Sequence, residues 1–183
     1  NGIADKDLFT YAMTKRMLLV GAQSLSKQYD LNYNCFIPST LYGGNYHSDG
    51  RQMHFIFDLI RKIVSASKTG SKAVLWGDGN QRRELVHVKD FVRIMEFLIP
   101  KLNNDLINIG AGVDYSIKEF ANTICELTKT TTKLVEYDKT KYVGAKSKCL
   151  NIDKLQYICP QLEYLPLRTG LNDSIAWYLT NQD

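Results

Sequence analysis

The sequence predicts an α/β protein, and three observations carry that expectation. Short β-rich runs alternate with longer segments of helical periodicity along the whole chain. Hydrophobic residues make up 44% and charged residues 23% of the 183, the balance of an ordinary globular core and surface. No internal repeat or low-complexity stretch interrupts the alternation.

The elements follow from local pattern. Leu8, Tyr11, Ala12, Lys15, Leu18, Leu19, Ala22 and Leu25 recur at helical spacing and predict a helix over 7–28, capped by Asp5 or Asp7. The β-rich run 32–37 ends at Pro38 and predicts a strand, followed by a polar, Gly-rich loop over 38–50. A helix is expected over 53–66, strands over 72–76 and 83–88, and a Gly turn over 77–80 between them. Asp90 is expected to cap a helix reaching Pro100, and 106–109 reads as a buried strand closed by Gly110 and Gly112. Ser116 and Glu119 form a capping box that opens a helix to Leu127. A strand over 132–137, a basic loop over 139–148, a short helix from Asp153 and an amphipathic helix over 167–181 complete the chain.

Several function classes are excluded. No apolar run approaches the roughly 18 residues that span a membrane, and the start does not read as a signal peptide. A start at Asn1 instead of methionine is expected of a processed or trimmed chain. Cys35, Cys125, Cys149 and Cys159 show neither CxxC pairing nor zinc-ligand spacing, so reduced thiols in a cytoplasmic protein and no metal site are expected. The net charge of +4 suits a small anionic ligand, and no basic run points to nucleic acid.

Three constellations carry chemistry. Tyr11 and Lys15 stand four apart on the first helix, on one face and about 6 Å apart along its axis. A phenol with a pKa of about 10 is a poor acid or base near neutrality, and an ammonium beside it stabilises the phenolate. Such a pair suits proton transfer at a carbonyl or alcohol coupled to hydride transfer, although the spacing also occurs by chance in many helices. The segment from Trp76 through the Gly turn to Arg83 presents a guanidinium near a loop tip, where its fork suits a pyrophosphate; Glu84 is a candidate to orient it. The same pattern also describes a surface hairpin with a salt bridge. Residues 38–44 and 108–112 follow strands and are plausible cofactor walls. The chain contains no GxGxxG phosphate cradle.

In this order the three constellations resemble the extended short-chain dehydrogenase/reductases of the nucleotide-sugar epimerase/dehydratase family. The resemblance runs from Tyr11 to about Asn181 and includes the closing Leu167-Arg-Thr-Gly-Leu-Asn-Asp-Ser-Ile-Ala-Trp177 segment. It implies the C-terminal portion of a Rossmann-type fold. Residues 1–50 would end the NAD(P)-binding domain and 51–183 would form mainly the nucleotide-sugar domain, with 84–110 returning to the Rossmann sheet. The likeness is greatest to members that reduce a GDP-4-keto-6-deoxy sugar with NADPH and epimerise C3 and C5. It is carried by Tyr11-Ala-Met-Thr-Lys15, Ile37-Pro-Ser-Thr-Leu-Tyr-Gly43, Met53-His-Phe-Ile-Phe-Asp-Leu-Ile-Arg-Lys62 and the 76–84 segment.

On that resemblance Tyr11 and Lys15 are the reductive pair and His54 the epimerisation acid. Tyr11, Lys15, Pro38, Ser39, Thr40, Leu41 and His54 would meet NADPH (NADP), while Lys62, Trp76 and Arg83 would hold the GDP-sugar. Trp76 reads equally well as core. The resemblance also implies a homodimer through the Tyr11/Lys15 helix. Two departures stand out. Lys141-Tyr-Val-Gly144 replaces the family's Lys-Pro-Asp-Gly, so Tyr142 brings no carboxylate to the sugar. The family's glycine-rich unit, catalytic Ser and epimerisation Cys precede the Tyr11 position, so this chain alone is expected to be inactive. A 4-epimerase or dehydratase, a GDP-heptose reductase, and a non-catalytic sugar-nucleotide-binding module remain as alternative readings.

Overall fold

The computed structural model describes residues 2–4, 6–46, 53–141 and 143–181. Asp5, the expected loop beyond Tyr46, and Tyr142 therefore lie outside the described residues. Helix α1 (Phe9–Tyr29) starts later than expected, with Leu8 rather than Asp5 or Asp7 at its N-cap position. It stops at Asp30, whose left-handed backbone (φ 53, ψ 41) breaks the ladder. The apolar stripe that predicts this helix is present but buries no residue; Met17 and Leu18 remain 59% and 65% exposed.

Parallel strand pairs place the loops that matter. Strand β1 (Asn34–Pro38) runs beside the strand Asp105–Ile109, with Cys35 facing Leu106 and Pro38 facing Ile109. Strand β2 (Thr40–Tyr42) lies within the expected loop and pairs in parallel with Leu85–His87. A third parallel pair joins β3 (Ala73–Trp76) to Val135–Asp138. The expected strand over 83–88 is broken in two. Its first piece, β4 (Arg82–Arg83), pairs with Tyr115–Ser116 and Ser147–Lys148, and Glu84 separates it from β5 (Leu85–His87).

Helices cover these strands by burying one face each. Helix α2 (Phe55–Thr69) packs Ile56, Ile60 and Ile63 against Phe120 and Ile124 of the helix Ile117–Leu127 and Leu171 of the helix Leu167–Thr180. Burying each such side chain contributes roughly 1.5–3 kcal/mol. A second core joins Ile94 and Leu98 of α3 (Val88–Leu98) to Ile107, Ile109 and Leu155. The capping box forms as expected: Ser116 accepts from the Glu119 N–H at 3.1 Å and Glu119 accepts from the Ser116 N–H at 2.7 Å. The cap of α3 differs from expectation. His87 Nδ1 accepts the Lys89 N–H at 3.3 Å, while the buried Asp90 carboxylate is taken by the Leu165 N–H at 2.9 Å and by Arg93.

Candidate active site

A cavity of about 790 Å³ opens where α1, the β1–β2 link and the start of α2 converge. Tyr11 comes to it from α1, Pro38 and Ser39 from the end of β1, Thr40 and Leu41 from β2, and His54 from the residue preceding α2. The cavity thus gathers six of the expected site residues from three separate segments. Lys15 sits one turn further along α1, its Nζ 5.6 Å from the Tyr11 ring centroid, within cation–π range. Lys62, Trp76 and Arg83 are not on its wall.

Ser39 is tied by both its main chain and its side chain. Its N–H donates to the Ile109 carbonyl at 2.9 Å, extending the β1 pairing by one residue. Its hydroxyl donates to the Glu84 carbonyl at 3.1 Å. His54 lies in extended backbone (φ −61, ψ 149), and its imidazole does not cap α2. That leaves the ring available to the cavity.

Glu84 has a different part from the one its position beside Arg83 suggests. Its carboxylate is 1% exposed and accepts the Gly112 N–H at 2.7 Å and the Leu150 N–H at 2.9 Å. It therefore does not orient Arg83. A Cβ on Gly110 would stand 2.6 Å from Glu84 Oε1. Gly110 and Gly112 stand against this carboxylate, and residues 108–112 are not among those lining this cavity. The two closely spaced glycines are the sequence signal: Gly110 leaves room for Glu84 and Gly112 for Ile152.

Arg83 donates to the carbonyls of Arg82 at 2.7 Å, Ala145 at 2.8 Å and Val143 at 3.1 Å. Burial pushes its pKa down, and no carboxylate among the described residues pairs with it. Carbonyl oxygens take three of its N–H donors and leave its positive charge uncompensated. Trp76 is 57% exposed, which removes it from the core. The Lys62 ammonium lies 6.0 Å from its ring centroid and 2.8 Å from Asp58 Oδ2. Burial raises the Asp58 pKa, but hydrogen bonds from Lys62 and Arg61 outweigh it and hold the carboxyl below its usual range.

The family described as NAD dependent epimerase/dehydratase matches residues 3–110. The chain is 31% identical over 179 residues to GDP-L-fucose synthase of Azorhizobium caulinodans, covering 94% of this chain and 56% of that protein. It is 35% identical over 160 residues to GDP-L-colitose synthase of Yersinia pseudotuberculosis, covering 84% and 50%. The chain thus spans about half the length of the curated relatives it matches. The crystal structure of a GDP-L-fucose synthetase from Naegleria fowleri bound to NADP superposes with a TM-score of 0.90 at 22% identity, over 99% of this chain and 59% of that one. The Rossmann-type α/β expectation is borne out.

Proposed function

The chain belongs to the NAD dependent epimerase/dehydratase family, and from that premise we propose that it supplies the catalytic helix and sugar-binding part of an NADPH-dependent reductase of a GDP-4-keto-6-deoxy sugar. One observation carries this reading: Tyr11, residues 38–41 and His54 meet on a single cavity wall. The uncompensated Arg83 guanidinium supports it, since a pyrophosphate supplies the anion that the site lacks.

The residues present fit the nicotinamide end of the cofactor, because the clamped 38–41 segment and Tyr11 face the same space. The phosphate end finds no glycine-rich cradle in this chain. NADPH, when bound, supplies the hydride for the C4 ketone. Tyr11 then donates its phenolic proton to the sugar O4 as negative charge develops there, and Lys15 holds the ribose and the phenol. Before that reduction, while the C4 ketone still acidifies C3 and C5, a base that the family resemblance places ahead of Tyr11 takes the proton, and His54 returns one on the opposite face. A positioned acid of this kind contributes roughly 100- to 10,000-fold.

The parallel pairing of β1 with Asp105–Ile109 and of β2 with Leu85–His87 supports a division in which 84–110 returns to the strands of 1–50 while 51–183 mainly holds the sugar nucleotide. The exposed apolar side chains of α1 support a homodimer through that helix. Calorimetry on the chain with GDP-mannose and with NADPH tests the proposal. Binding of GDP-mannose, weakened at least about tenfold by Arg83→Ala, is the expected result, and no heat with either ligand would overturn it.

A further inference from the structure

We propose that Tyr46 is a positioning residue that sets the direction from which the His54 imidazole enters the cavity, an inference that rests on reading His54 as a proton donor. His54 is the residue just outside α2, and its carbonyl receives the first helical bonds, from Phe57 N at 3.1 Å and Asp58 N at 3.2 Å. Its own N–H lies outside that ladder. The Tyr46 hydroxyl accepts it at 2.8 Å. The main chain on both sides of the His54 Cα is thereby anchored, one end by the helix and the other by a phenol.

The phenol is itself held by the core. The Tyr46 ring lies flat on Phe57, with centroids 3.8 Å apart and an interplanar angle of 6°. Phe57 is 3% exposed and belongs to the main core. Tyr46 and His54 rings stand 6.1 Å apart at 58°, and both line the cavity. A column therefore runs from the core through Phe57 and Tyr46 to the His54 backbone. Because the imidazole is not spent on capping α2, its orientation depends on that backbone. With the carbonyl held by the helix, freeing the N–H releases rotation about the His54 Cα–C bond, which carries the Cα–Cβ bond and the imidazole with it.

The test separates this claim from the assignment of His54. In Tyr46→Phe the ring stack on Phe57 is retained and the hydroxyl that accepts the His54 N–H is lost. Nuclear magnetic resonance on the full chain is expected to show the His54 amide proton shifted upfield and exchanging about tenfold faster. The His54 imidazole Hε1 signal moves as well, while Ile60 and Ile63 methyl signals stay in place. Tyr46→Leu, which also loses the stack, moves the Phe57 signals in addition. Unchanged His54 amide and imidazole signals in Tyr46→Phe would overturn the proposal. Titrating the wild-type chain with GDP-mannose is the second arm. If Tyr46→Phe moves His54 but GDP-mannose does not, the positioning role stands and the substrate-site reading of His54 falls.

Discussion

Glu84 and Gly112 are joined by a hydrogen bond of 2.7 Å from the glycine N–H to a carboxylate that solvent hardly reaches. The other carboxylate oxygen holds the Leu150 N–H, so one side chain ties two loops to the strand ends beneath the cavity. Ser39, on the cavity wall, is attached to the carbonyl of the same residue.

Glu84→Gln is expected to destabilise the chain by about 2 kcal/mol, because the amide's NH₂ meets a backbone donor where an oxygen accepted. The urea midpoint measures this. Gly110→Ala should lower it as well, since its methyl meets Glu84 Oε1 at 2.6 Å.

Tyr42 and Gly170 make a second such contact. A Cβ at Gly170 would fall on the Tyr42 hydroxyl, so the helix Leu167–Thr180 packs at that distance only with glycine there. Gly170→Ala is expected to cost about 1–3 kcal/mol. Combining it with Tyr42→Phe should recover part of that loss, because the atom of closest approach is removed. Thermal unfolding of the two single variants and the double variant reads the coupling.

His87 gives the chain an acid-sensitive component. It is 2% exposed, and burial, with Lys89 adding to it, holds its pKa below 6.5 against the opposing pull of Asp173 and Asp90. The unfolded chain therefore takes up a proton below about pH 6.5 that the folded chain refuses. This contribution to stability is full above the unfolded value and is lost as the pH falls from there toward the folded one. His87→Asn keeps a helix-capping acceptor and abolishes the titration. Its unfolding free energy should fall less than the wild type's between about pH 7.5 and pH 5, as followed by urea titration at each pH.

Arg83→Lys should weaken GDP-mannose binding nearly as much as Arg83→Ala. The charge is kept, but a lysine cannot place donors on the Arg82, Val143 and Ala145 carbonyls and still present a fork outward. Calorimetry of the two variants side by side decides it, and a lysine variant that binds like the wild type would contradict this geometry.

Much of this arrangement is legible in local sequence. The periodicity of 53–66 identifies a helix that buries Ile56, Ile60 and Ile63, and the Ser116–Glu119 box marks a helix start that the structure reproduces. That Tyr11, residues 38–41 and His54 share one cavity is what the family resemblance implies; no local pattern places His54 there. What local sequence misses depends on partners far along the chain. Strand β2 hides in a polar run because its parallel partner begins at Leu85. Asp90 reads as a cap, but the Leu165 N–H, 75 residues away, claims its carboxylate and His87 caps instead. Glu84 reads as a surface partner for Arg83, and only the fold brings Gly112 and Leu150 onto it. The stripe on α1 predicts burial that the chain does not provide.

We propose that the cavity beside Tyr11 takes the nicotinamide end of the cofactor while Arg83 takes the sugar nucleotide. Amide chemical-shift mapping of the chain, titrated separately with NADPH and with GDP-mannose, tests it most directly. NADPH is expected to move the Ser39, Thr40 and Leu41 amides. GDP-mannose is expected to move the Arg83 side chain and the Trp76 indole. Shifts confined to residues away from both places, or none at saturating ligand, would contradict the account.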